Sequence, residues 1–174
     1  MTRENCIAAT TAYFDDGDFL ADCGRLVAIP SESQKAEGLV HCLRYLDEAM
    51  IPAFKTMGFT TKTYENPVAG YGPVLLATRV EDPTLPTILG YGHGDVIRGM
   101  AEQWTKGAGP WKVAVDGERL YGRGIADNKS QHWINMVAMR YVLENRGKLG
   151  FNAKFIIETG EENGSRGLGD VIKS

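Results

Sequence analysis

The sequence predicts an α/β fold, a sheet sandwiched by helices. Segments with the three-and-four spacing of amphipathic helices alternate with short runs rich in β-branched and aromatic residues. Each of the three most conspicuous polar clusters comes directly after one of those runs. A length of 174 residues, 43% of them hydrophobic and 24% charged, suits one domain with a real core.

Asp18 to Ala28 reads as a short helix, with Asp15, Asp16 and Asp18 at its start and Pro30 ending it. Leu39, Leu43, Leu46, Met50, Phe54 and Met57 form the buried stripe of a longer helix, which Pro52 is placed to kink and Gly58 ends. Phe59 to Tyr64, Val74 to Val80 and Thr87 to Tyr91 read as strands. Between Trp111 and Tyr121, Val113, Val115 and Leu120 surround the Asp116-Gly117 turn signal of a hairpin, and a glycine-containing loop follows from Gly122 to Asn128. Trp133, Val137 and Tyr141 share a row on a helix ending near Gly147. Asn152 to Thr159 is a strand, and a last helix begins near Ser165.

Charge and composition exclude some partners. The 22 acidic residues outnumber the 19 Lys and Arg for a net charge of −3, and the basic residues are scattered, so nucleic acid is not an expected partner. No leader pattern opens the chain and no run approaches the ~18 apolar residues of a membrane span, so the expectation is a cytoplasmic protein with no membrane partner. Cys6, Cys23 and Cys42, odd in number and without C-x-x-C spacing, read as buried or idle thiols rather than disulfides or thiolate ligands.

The clusters are Gly92-His93-Gly94-Asp95, Gly122 to Lys129, and Glu161-Glu162. In open α/β sheets the carboxyl ends of strands meet at one crevice, so these segments are expected to converge. His93 with Asp95 two residues on suits a metal ligand whose second ring nitrogen is held by a carboxylate, or else a satisfied His–Asp pair. Gly92 and Gly94 are read as letting the backbone turn sharply. Asp127 suits a carboxylate bridging two cations, or a helix cap. Glu161 and Glu162 can divide labour, one binding metal and the other serving as a general base toward water, or can form an acidic pair at a helix start.

Together these motifs resemble the dinuclear zinc aminoacylase and carboxypeptidase G family, which includes acetylornithine deacetylase, succinyl-diaminopimelate desuccinylase and carnosine dipeptidases. The resemblance is carried by Gly92-His93-Gly94-Asp95, by Asp116-Gly117, Leu120-Tyr121-Gly122-Arg123-Gly124 and Asp127-Asn128-Lys129, and by Glu161-Glu162-Asn163-Gly164-Ser165. It spans most of the chain from Ile29-Pro30-Ser31-Glu32-Ser33 onward. It implies a three-layer αβα sandwich of the zinc-exopeptidase kind with a mixed, largely parallel sheet. It also implies a pair of zinc ions, for which cobalt or manganese can substitute: His93 binds one, Glu162 the other, and Asp127 bridges them. Asp95 then supports His93, Glu161 is the general base, and the Asp127-Asn128 peptide is cis. The implied substrate is an N-acyl amino acid or a short peptide.

Gly160 and Ser130 depart from the family pattern, which often has an acid and a glycine there. The family also supplies a further acidic ligand, a final His and an inserted dimerisation domain, none of which falls within residues 1–174. The expectation is therefore the amino-terminal part of a catalytic domain, hydrolysing amides in a full-length form and incomplete and inactive alone. The alternative is a non-catalytic remnant or interaction module that keeps the fold. His41 and His132 fall on predicted helices and are read as surface or packing residues.

Overall fold

A computed structural model describes residues 2–173. It opens with a helix absent from the sequence reading, α1 (Arg3–Asp15), joined through Gly17 to α2 (Asp18–Val27). The apolar residues of α1 follow no helical stripe, and the one it buries, Tyr13, anchors it: the Tyr13 hydroxyl donates to Asp22 (2.8 Å) and accepts from Trp133 Nε1 (2.9 Å). A polar anchor of this kind leaves no periodic signal.

The long helix is real but irregular. It runs as α3 (Leu39–Arg44), a π turn (Tyr45–Met50) and α4 (Ile51–Thr56). Pro52 has no N–H to give to the preceding turn, and the wider turn before it accommodates that loss. The change in pitch moves the buried face: Leu43 is exposed, while Cys42, Tyr45, Leu46, Ala49 and Met50 are buried.

The strands are β1 (Thr60–Tyr64), β2 (Val74–Arg79), β3 (Thr87–His93), the hairpin pair β4 (Ala114–Asp116) and β5 (Arg119–Tyr121), and β6 (Asn152–Glu158). The main sheet has the order β1-β2-β6-β3 and is mixed as expected. Among the described residues, however, β1/β2 and β2/β6 are antiparallel and only β3/β6 is parallel, so antiparallel pairing predominates where a largely parallel sheet was expected. Leu75, Ala77, Phe155 and Ile157 face the core with Tyr45, Met50, Phe54 and, from α5 (Ser130–Arg146), Trp133 and Met136. On the opposite face α6 (Leu168–Lys173) brings Val171 and Ile172 near Leu76 and Ile156, while Leu89 and Tyr91 stay exposed. Because β3 and β6 are parallel, with His93 opposite Glu158, both strands deliver the segments that follow them to one rim of the sheet.

Among the described residues no helix is long and apolar enough to cross a membrane. The three cysteines are unpaired thiols, and burial pushes Cys23 up to about 11 and Cys42 up to about 12.

Candidate metal centre

His93, the last residue of β3, is 4% exposed. Its Nδ1 lies 3.1 Å from the carbonyl oxygen of Asp95 and 3.4 Å from its carboxylate. Its Nε2 lies 3.0 Å from Asp127 Oδ1 and 3.8 Å from Glu161 Oε2. Donor atoms of His93, Glu161 and Glu162 all fall within 4.8 Å of one another. The three sequence clusters therefore meet at one point.

Asp95 is fully buried, and its two oxygens accept the backbone N–H groups of Glu161 (3.2 Å) and Glu162 (3.1 Å). It thus ties the short turn Glu161–Asn163 to the end of β3, a larger part than supporting one ring. Asp127 sits extended (φ −142, ψ 98) inside the turn Ile125–Lys129, after Gly124 in the left-handed region (φ 87). Its side chain is 74% exposed and no side-chain cap is made to α5, so the helix-cap alternative is not what the structure has. The Asp127-Asn128 peptide is cis, as the resemblance implies. Glu161 and Glu162 lie in a 3₁₀ turn well before α6, rather than at the start of a longer helix.

The electrostatics follow from this crowding. Burial opposes a charge on His93, but the Asp95 and Asp127 carboxylates outweigh it and raise its pKa to about 9. Burial raises Glu162 too; His93 opposes this, and Asp127, Asp95 and Glu161 add to it. Among the described residues no Lys or Arg forms an ion pair with Asp95, Asp127, Glu161 or Glu162. Four carboxylates around one imidazole without a basic side chain among them make a donor set that fits a divalent cation.

Two buried residues lie behind the site: His132, which the sequence left as surface or packing, and Lys129, to which it gave no separate part. His132 is 1% exposed, and burial lowers its pKa to about 3. Lys129 is fully buried, its ammonium donating to the carbonyls of Leu26 (3.0 Å) and Ile29 (2.7 Å) and lying 4.9 Å from the Tyr45 ring centre. Burial lowers its pKa to about 7. His41 lies on α3 beside Arg44, as a surface residue. Gly92 and Gly94 also prove to have a different purpose. Neither has positive φ; a Cβ at Gly92 would overlap His132, and one at Gly94 would overlap the Tyr45 ring. Gly94→Ala should therefore cost about 1–3 kcal/mol by overpacking, read from denaturant unfolding. An unchanged midpoint would mean that the ring can step aside.

A mixed sheet between helices, with these clusters at the carboxyl rim of β3 and β6, defines an α/β domain with a candidate metal centre at one edge. Residues 89–174 match the family described as "Peptidase family M20/M25/M40", and the chain belongs to that family of hydrolases. It is 31% identical over 172 residues to the Cys-Gly metallodipeptidase DUG1 of Candida albicans, covering 88% of this chain and 34% of that protein. It is 42% identical over 105 residues to the Beta-Ala-His dipeptidase of Homo sapiens, covering 58% and 20%. The crystal structure of human carnosine dipeptidase 1 superposes with a TM-score of 0.84 at 29% identity, over 97% of this chain and 37% of that one. The chain thus spans between a fifth and about a third of the length of these curated relatives.

Proposed function

We propose that this chain carries the metal-binding and proton-transferring part of a zinc-dependent peptidase or deacylase acting on dipeptides, other short peptides or N-acyl amino acids. The observation that carries the reading is His93, held at Nδ1 by Asp95 and turned at Nε2 toward Asp127 and Glu161. His93 and Glu162 would each hold one zinc, with Asp127 shared. A catalytic zinc ordinarily has three protein ligands plus water, so further donors are needed. They belong, on this reading, to the part of the relatives' length that these residues do not span, as does any dimerisation domain.

Zinc bound there supplies Lewis acidity toward the scissile carbonyl and lowers the pKa of water. Glu161 takes the proton from the attacking water and returns it to the leaving amine. Asp95 keeps the proton of His93 on Nδ1, leaving Nε2 free as a donor. The names of the relatives suggest the substrates for the test: β-alanyl-histidine, cysteinyl-glycine and N-succinyl-diaminopimelate, assayed with and without added zinc. Zinc-dependent release of a free amine by a protein of the relatives' length that contains these residues supports the reading; zinc-independent release, or none, from that protein overturns it.

A pH dependence follows from His93. Its pKa of about 9 in the metal-free protein means that Nε2 is protonated at neutral pH, and zinc must displace that proton. Zinc affinity should thus rise ~tenfold per pH unit toward about 9 and level off above it. By the same linkage, the metal-free fold has the full His93 contribution below 6.5 and loses it as pH rises through about 9. Competition against a chromophoric chelator reads the first effect, and a flat profile would remove His93 from the ligand set.

A further inference from the structure

Behind the carboxylate cluster lies a chain of polar contacts, buried at Tyr45 and His132 and half-buried at Asn128, that no step above uses. Asn128 Oδ1 is 3.1 Å from the backbone nitrogen of His93 and 3.0 Å from Nδ1 of His132. The Asn128 amide nitrogen donates to Gln131 Oε1 (2.9 Å). His132 Nε2 is 2.6 Å from the hydroxyl of Tyr45, which is fully buried.

The direction of these bonds can be worked out. The backbone N–H of His93 can only donate, so the atom of Asn128 facing it is the oxygen. That oxygen can only accept, so His132 carries its proton on Nδ1. Nε2 is then an acceptor and the Tyr45 hydroxyl donates to it. Burial keeps His132 neutral, in agreement with this tautomer. Each member has one state that satisfies its neighbours, so the chain is directional and specific.

Both ends of this chain bear on the proposed ligands. Asn128 directly follows Asp127 and grips the backbone of His93, so its carboxamide ties the residue next to the bridging carboxylate to the strand end that carries the imidazole. The Tyr45 ring and His132 occupy the space that side chains at Gly94 and Gly92 would take, on either side of His93. The Tyr45 ring also lies beneath the Lys129 ammonium, whose bonds to Leu26 and Ile29 hold the turn after Asp127 against the end of α2.

We propose that Tyr45, His132 and Asn128 form a positioning relay that sets the separation of His93 and Asp127, and with it the affinity and geometry of the metal site. This rests on the reading of His93 and Asp127 as ligands. None of the three relay residues is among the proposed ligands; each acts through the next.

The test uses zinc affinity and the absorption spectrum of the cobalt-substituted full chain, with thermal unfolding of the metal-free form measured alongside. His132→Leu removes the donor to Asn128 and should weaken zinc binding ~10–100-fold, as loss of an outer partner does, and shift the cobalt bands. His132→Asn places an amide N–H near the position of Nδ1 and should recover most of that affinity and the native spectrum, although it loses the Tyr45 bond as His132→Leu does. Tyr45→Phe should fall between them. If the residues serve stability alone, affinity will follow unfolding temperature and the Leu and Asn variants will bind zinc alike, which overturns the relay. Asp127→Asn is the control for the underlying reading: unchanged zinc affinity and spectrum there would overturn the ligand assignment itself. A loss there with no change in His132→Leu would overturn only the relay.

Discussion

Glu161→Gln should lower kcat by ~10²–10⁴-fold, the range for removal of a general base, with the zinc content of the protein unchanged. The substitution keeps the volume of the side chain and leaves the backbone N–H of residue 161 on Asp95, so the turn it belongs to stays in place. The carboxylate of Glu161 is 3.8 Å from His93 Nε2 and its side chain is 43% exposed, so it borders the cluster from the side open to solvent. Glu162→Gln should give the opposite pattern, with zinc lost first and turnover falling as a consequence. Metal analysis of the two variants together with their kcat values separates the roles. If Glu161→Gln loses zinc and Glu162→Gln keeps it, the base and the ligand have been exchanged.

Asp95→Ala should damage stability and metal binding at once. It leaves the N–H groups of Glu161 and Glu162 without their acceptor, at about 1–3 kcal/mol for each unsatisfied buried donor. It also takes away the carboxylate 3.4 Å from His93 Nδ1 and leaves that nitrogen only the carbonyl oxygen of residue 95 at 3.1 Å, and the loss of an outer-shell partner costs ~10–100-fold in metal affinity. Among the influences that raise the pKa of His93, Asp95 is the largest, so in its absence the pKa falls. Denaturant unfolding, zinc competition and the pH dependence of zinc binding should therefore all change together. Zinc affinity that survives the substitution intact would show that the ring is oriented by something else.

Much of the site was legible because its clusters follow strands whose ends converge by a general rule of α/β sheets. His93, Asp95, Asp127, Glu161 and Glu162 are polar residues at places where local pattern changes, and short spacing such as His93-x-Asp95 survives folding as contact. The rest depends on burial that local sequence does not encode. His132 and Lys129 are polar residues on or beside a helix, where the ordinary expectation is a solvated face. Their burial comes from Tyr45, more than 80 residues earlier, and from the end of α2. The glycines around His93 were read as letting the backbone turn sharply because a glycine advertises freedom of the backbone, whereas here it records the nearness of another side chain. The π turn before Pro52 had a similar effect on the long helix, replacing the expected Leu43 on its buried face by Cys42 and Tyr45. The α1 helix, lacking a stripe altogether, gave nothing for a periodicity argument to find.

The clamp between the two strand ends also distinguishes places where the chain tolerates changes of length from places where it does not. Gly94 N–H donates to the carbonyl of Glu158 (2.9 Å), and Asp95 holds residues 161 and 162, so 93–95 and 158–162 are locked to each other residue for residue. One residue inserted in either stretch would put these hydrogen bonds out of register and shift the side chains that meet in the cluster. Between them, the hairpin of β4 and β5 places none of its residues in hydrogen bonds or ion pairs with the five site residues among those described. Its tip is therefore where inserted peptides, tags or natural length variation can be accommodated without moving the chemistry.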